Sequence, residues 1–290
     1  MAHITGLYAA MLTRDSNDSG TDSSVELIAN FNGVDILHHT FPQSQQQVNQ
    51  EQGLANLFHI PVIARDEVDT NLLDRAYFRV GLRGDDAWRP HQFALWCTAE
   101  GRVPVVPISA HADMHAPQMQ RRTPPVLEPE RKAILSTDTS EGDTSFALRR
   151  VTAGSRSMPI LGLMVAIDTH NWHGYGTDSK VMLRITAGGQ IVFDYEFADT
   201  SQDEMDQGQA NFYFLPVDIP FTKAQLLAGG NVRLSIGGRD NWLPTRFFIF
   251  GMDVASGDPG ALVPLVHIGN WTQGELDTDS QQFVNLPLAQ

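Results

Sequence analysis

The sequence predicts an all-β protein made of two tandem, homologous antiparallel β-sandwiches. Three observations carry this. Short motifs recur at a nearly fixed offset; strand-like stretches of period two are broken by Gly, Asn, Asp and Pro; and helical periodicity is weak throughout.

The recurrence begins with Ser19–Leu27, SGTDSSVEL, which returns as YGTDSKVML at Tyr175–Leu183, an offset of 156. Gln52-Gly53-Leu54-Ala55-Asn56 returns as Gln207-Gly208-Gln209-Ala210-Asn211. Phe78 to Gly84 matches Val232 to Gly238, and Asp86-Ala87-Trp88-Arg89-Pro90 matches Asp240-Asn241-Trp242-Leu243-Pro244. VPVVPI (103–108) matches VPLVHI (263–268), and Thr137-Asp138 matches Thr278-Asp279. The offset stays between 154 and 156 through the tryptophans and is 141 at the Thr-Asp pairs. Ordered matches of this kind define a tandem repeat, with units expected at 1–151 and 157–290. The fall in offset places an inserted surface loop at about 111–132 of the first unit, where Pro and charged residues gather. A short linker is expected near VTAGSRSMP (151–159).

The elements follow in order. VELIANF (25–31) alternates in part, and VMLRITA (181–187) and IVFDYEF (191–197) more clearly. FRVGL (78–82) and VRLSI (232–236) repeat the theme. ARDEVDTNLLDRA (64–76) and FTKAQLLAGG (221–230) each hold room for one or two helical turns. FALWC (93–97) and FFIFG (247–251) are almost wholly apolar. Trp88 and Trp242, at equivalent places, are expected in the two cores.

Composition narrows the function. A net charge of −14 and a pI near 5.0 exclude a nucleic-acid partner, because phosphate contacts need clustered Lys and Arg. The single Cys97 excludes an intramolecular disulfide and a cysteine-based zinc cluster, and its apolar setting makes it a core residue. No apolar run reaches the length of a membrane span, and the N-terminus does not read as a secretory signal, so a cytoplasmic protein or one exported by a non-classical route is expected. No nucleophile elbow, zinc-protease helix, P-loop or dinucleotide fingerprint is present, and the expectation is a protein that is not an enzyme.

The Gly20-Thr21-Asp22 and Gly176-Thr177-Asp178 turns after the first strand of each unit resemble the PLAT (lipoxygenase homology, LH2) domain. So do Asp86-Ala87-Trp88 and Asp240-Asn241-Trp242 before a late strand. The two motifs stand about 64 residues apart in each half. The resemblance implies an eight-stranded sandwich whose two motif loops meet at one end, where they can bind calcium and touch lipid or protein. The chain departs from the family in the wholly apolar strand after each tryptophan and in unit ends that run beyond the usual domain.

Oxygen-rich loops can supply the ligands Ca²⁺ needs. The calcium candidates of the first unit are Asp15, Asp18, Gly20, Asp22 and Asp86, with Asn17 and Asp85 beside them. Those of the second are Asp168, Asn171, Gly176, Asp178 and Asp240, with Thr177. The alternative is that these Asp and Asn residues are turn formers that bond their own backbone. His111-Ala112-Asp113-Met114-His115, and His170 with His173, are weaker metal candidates, read first as surface histidines. Trp172 and Tyr175 are candidates for surface contact, against the alternative that they fold back onto the protein. The sequence thus points to a binding protein for membrane lipid or a protein partner, with Ca²⁺ as its cofactor. The alternative is a structural or docking subunit, a homo-oligomer or part of a larger bacterial or viral-type assembly.

Overall fold

The computed structural model describes residues 3–15, 20–41, 53–61, 70–99, 105–114, 134–136, 144–171, 174–197, 205–238, 240–277, 279 and 281–290. The chain divides into two compact units. One holds residues 1–54, 58–104 and 108–150; the other holds 55–57, 105–107 and 151–290.

The elements before residue 151, which belong to the first unit apart from 55–57 and 105–107, are β1 (Ile4–Thr13), β2 (Ser24–Phe31), β3 (Val34–Thr40), β4 (Ala55–Pro61), α1 (Thr70–Arg75), β5 (Tyr77–Arg83), β6 (Ala87–Trp88), β7 (Pro90–Ala99), β8 (Val105–His111), β9 (Leu135–Ser136) and β10 (Ser145–Ala147). The strand β11 (Thr152–Ala153) follows. The second unit continues with β12 (Pro159–Thr169), β13 (Lys180–Ala187), β14 (Gln190–Phe197), β15 (Ala210–Thr222), α2 (Lys223–Leu227), β16 (Asn231–Gly237), β17 (Asn241–Trp242), β18 (Pro244–Met252), β19 (Ala261–Ile268), β20 (Leu276–Asp277) and β21 (Phe283–Asn285).

The protein is all-β, and each unit is sandwich-like. The first unit sets β4-β1-β7-β8 against the smaller sheet β10-β5-β2-β3; the second sets β15-β12-β18-β19 against β21-β16-β13-β14. A two-stranded ribbon, β6-β9 or β17-β20, completes each. The strand order is therefore the same twice, with the short helix at the same point of the chain. The helical turns expected in 64–76 and 221–230 are α1 and α2. Thr222 caps α2 through a capping box with Gln225.

In the second unit β13 buries Val181, Leu183, Ile185 and Ala187 on alternate positions and turns Lys180 and Arg184 to solvent. The buried set meets Leu163, Val165 and Ile167 of β12 and Phe247 and Ile249 of β18 in one core, closed over by Trp242. Fully burying each such side chain contributes on the order of 1.5–3 kcal/mol. The apolar strand FALWC is buried at every residue, as are Phe247, Phe248, Ile249 and Phe250. A strand buried on both faces has no use for alternation, which explains the departure seen in its sequence.

One feature differs from the sequence reading. The stretch read as a linker contains β11, which pairs in parallel with β19, Thr152 opposite Ala261 and Ala153 opposite Leu262. Thr152 N–H donates to Gly260 O and Gly154 N–H to Leu262 O. β15 runs on past Pro216 to Thr222, where Phe221 pairs with Ile160 beyond a register shift. The expected insertion begins where β8 ends, at His111, but 115–132 lie outside the described residues, as do Thr137, Asp138 and Thr278.

Candidate functional site

The aspartates of Gly-Thr-Asp and Asp-x-Trp stand 64 positions apart in the first unit and 62 in the second, yet in the first the antiparallel pairing of β2 with β5, Ser24 opposite Arg83, brings their loops together. The same happens in the second unit, where Lys180 stands opposite Gly237. Each meeting point is built from the same hydrogen bonds.

In the first unit the Asp22 N–H donates to Asp86 Oδ2 at 3.0 Å, and the other carboxylate oxygen of Asp86 accepts the Ala87 N–H at 2.8 Å. In the second unit the Asp178 N–H donates to Asp240 Oδ2 at 3.2 Å and the Asn241 N–H to Asp240 Oδ1 at 2.9 Å. The turn is braced from within: Thr21 Oγ1 accepts the Ser23 N–H at 3.0 Å, and Thr177 Oγ1 the Ser179 N–H at 2.9 Å. Ser23 Oγ also accepts the Asp86 N–H at 3.0 Å. Gly84 and Gly238 lie against these serines with φ of 147° and 158°; a Cβ at either would overlap the serine side chain. Glycine is required there on both counts.

Below each clamp a tryptophan is anchored. Trp88 and Trp242 are fully buried, and their indole N–H groups donate to Thr13 Oγ1 at 3.0 Å and Thr169 Oγ1 at 3.1 Å. A buried indole needs such a partner. These threonines and the two serines were missed in the sequence reading. The signal was present: Thr13 and Thr169 close the first strand of each unit at the shared offset of 156, and Ser23 and Ser179 stand just before the next strand at the same offset.

The candidate residues are distributed as follows. Asp15, Asp22, Asp86, Asn171 and Asp178 are exposed, while Gly20, Gly176, Tyr175 and Asp240 are half-buried. Asp86 and Asp240 each use both oxygens on backbone N–H groups, two of about four acceptor positions in a carboxylate. A Cβ on Gly176 would press into the Asp206–Gln207 peptide, so this glycine lets the neighbouring turn pass over it. Asp168 points to different partners, accepting from Thr245 Oγ1 at 2.8 Å with Arg246 Nε 3.6 Å away. Burial raises its pKa above the ordinary carboxylate value, while Arg246, Thr245 and His170 oppose the rise. The Tyr175 ring meets His170 edge-on at 5.7 Å, and its carbonyl accepts the Leu243 N–H. Asn17, Asp18, Trp172, His115 and His173 lie outside the described residues.

The His111–His115 cluster does not converge where it is described. Asp113 pairs with the buried Arg14 at 2.5 Å, with His91 Nε2 at 3.9 Å, while His111 Nε2 accepts the Arg149 N–H at 3.2 Å. Among the described residues no three His, Cys, Asp or Glu side chains gather within reach of one ion. No described helix is long and apolar enough to cross a membrane.

No family model matches the chain, and no curated protein or solved structure matches it.

Proposed function

We propose that the chain is a non-enzymatic binding protein that presents the clamped loop end of each unit as a recognition surface for lipid headgroups or a partner protein. The observation that carries this reading is the clamp itself, built twice from the same atoms at nearly the same distances. It fixes the shape of two loops whose outer residues, Asp22, Asp85, Asp86 and Asp178, are exposed and acidic. A rigid loop pair loses little conformational entropy on association. Two such ends on one chain raise avidity wherever both engage together.

Ca²⁺ is the ion this surface suits. The carboxylates of Asp15, Asp22 and Asp86, and those of Asp178 and Asp240, are hard oxygen donors, and a bound cation offsets local negative charge in a protein of net charge −14. The test is thermal unfolding with Ca²⁺ and with chelator, on the wild type and on Asp22→Ala and Asp178→Ala, followed by vesicle co-sedimentation. Ligand at about 100 times its Kd stabilises the fold by roughly 2.7 kcal/mol. A rise in Tm that one substitution abolishes assigns the ion to that unit. A wild type indifferent to Ca²⁺ removes the ion from the proposal, and absence of vesicle binding removes the lipid.

A further inference from the structure

The hairpins β2–β3 and β13–β14 turn at equivalent places through two residues of positive φ. Asn32 and Gly33 have φ of 52° and 85°; Gly188 and Gly189 have 58° and 79°. Two such residues in succession are the type I′ signature that suits the twist of a tight hairpin. The backbone demand is the same, but the chemistry differs. Only the first unit answers it with an Asn-Gly pair, and both residues are exposed.

An Asn followed by a residue without a Cβ is open to attack by the next backbone nitrogen on its own side-chain amide. Here that nitrogen is occupied. The Gly33 N–H donates to Asn30 Oδ1 at 2.9 Å, and Asn30 is itself oriented by its Nδ2 donating to Asp35 Oδ1 at 2.9 Å. We propose that Asn32 is a site of spontaneous deamidation and isomerisation held in check by the Asn30 side chain. In the reaction Gly33 N bonds to Asn32 Cγ, the Cγ–Nδ2 bond breaks, and ammonia leaves carrying the proton lost from Gly33 N. The cyclic imide then takes up one water, opening at one carbonyl to aspartate and at the other to isoaspartate. The hydrogen bond from Gly33 N–H to Asn30 must break before the nitrogen can attack, and the paired strands on either side resist the rotation that brings it onto Cγ. Isoaspartate adds a backbone methylene to a turn of two residues, which the register Asn30 opposite Asp35 and Phe31 opposite Val34 does not accommodate. The second unit, with glycine at both positions, has no side chain to react.

The full chain is incubated at mildly alkaline pH, and peptide mass spectrometry follows the amide-to-acid mass gain and the isoaspartyl bond at position 32. The folded wild type should convert several-fold more slowly than the same chain held unfolded in urea. Asn30→Ala should convert several-fold faster than the folded wild type, and more slowly than the unfolded chain because its strands stay paired. Asn30→Asp, which keeps an acceptor for the Gly33 N–H, should stay near the wild type and separates loss of the guard from loss of the fold. A folded wild type that converts as fast as the unfolded chain, or an Asn30→Ala chain no faster than the wild type, overturns the proposal.

Discussion

In the second unit the solvent side of β13 and β14 is laced with ion pairs, Lys180 with Glu196 at 2.6 Å and Arg184 with Asp194 at 2.7 Å. Arg233 stacks on the exposed Phe283 ring beside them, 3.7 Å from its centroid. The matching positions of the first unit hold Ser24 and Thr40, then Ile28 and His38. There Ile28 and Glu26 are only 7% and 9% exposed, on the face that its counterpart gives to water. Yet the clamps of the two units share four hydrogen bonds, from the buried indole on its threonine to the paired N–H groups on the aspartate. The repeat has kept the polar contacts that fix the loops and let the solvent face drift. For the indoles the physical reason is asymmetric cost: a buried donor left without a partner costs about 1–3 kcal/mol, whereas exposed ion pairs contribute about 0.2–1 kcal/mol.

That contrast can be broken at four levels. The largest effect belongs to the indoles. Trp88→Ala and Trp242→Ala should each lose about 3–5 kcal/mol, read as a drop in the denaturant midpoint, with Thr13→Val and Thr169→Val losing about 1 kcal/mol. Unequal losses for the two tryptophans would show that the cores are not equivalent.

The next effect is confined to the second unit. His267 packs on Phe248 at 4.7 Å, and burial pushes its pKa from 6.5 down to about 4. A histidine kept neutral in the fold but protonated in the unfolded chain contributes stability that is complete above about pH 6.5. That contribution is lost as the pH falls toward about 4, approaching about 3 kcal/mol. The first unit has Pro107 in the matching motif. Melting curves from pH 7 to 4 should therefore show an acid limb that His267→Phe flattens. An unchanged limb would place the acid sensitivity elsewhere.

Smaller still is the clamp. Asp86→Ala and Asp240→Ala each free two N–H groups at a partly wet surface and should cost about 1 kcal/mol. Amide exchange at residues 22 and 178 should quicken in the respective variant alone. The smallest effect, about 0.2–1 kcal/mol and salt-sensitive, is expected for Arg184→Ala on the laced face of the second unit. A larger loss would mean that this face does more than meet water.

Much of the fold was legible because duplication wrote it twice. Gly-Thr-Asp, Asp-x-Trp and the alternating VMLRITA each marked an element that the structure contains, and the two tryptophans lie in the cores as their equivalence required. Local chemistry also fixed the turns: Asn32-Gly33 and Gly188-Gly189 have the residue types that positive φ demands. What the chain alone did not reveal depends on partners distant in sequence. VTAGS has no strand pattern, and β11 exists because β19 offers it a parallel edge more than a hundred residues away. FALWC carries no period because both of its faces are covered, and burial on the second face is a property of the folded assembly of strands. The same holds at the candidate site. The sequence placed acidic residues in two loops. Only the tertiary structure decided that Asp86 and Asp240 hold backbone N–H groups across those loops while Asp168 turns to Thr245 and Arg246, because a carboxylate's role is set by the donors that the fold brings within 3 Å or so of it.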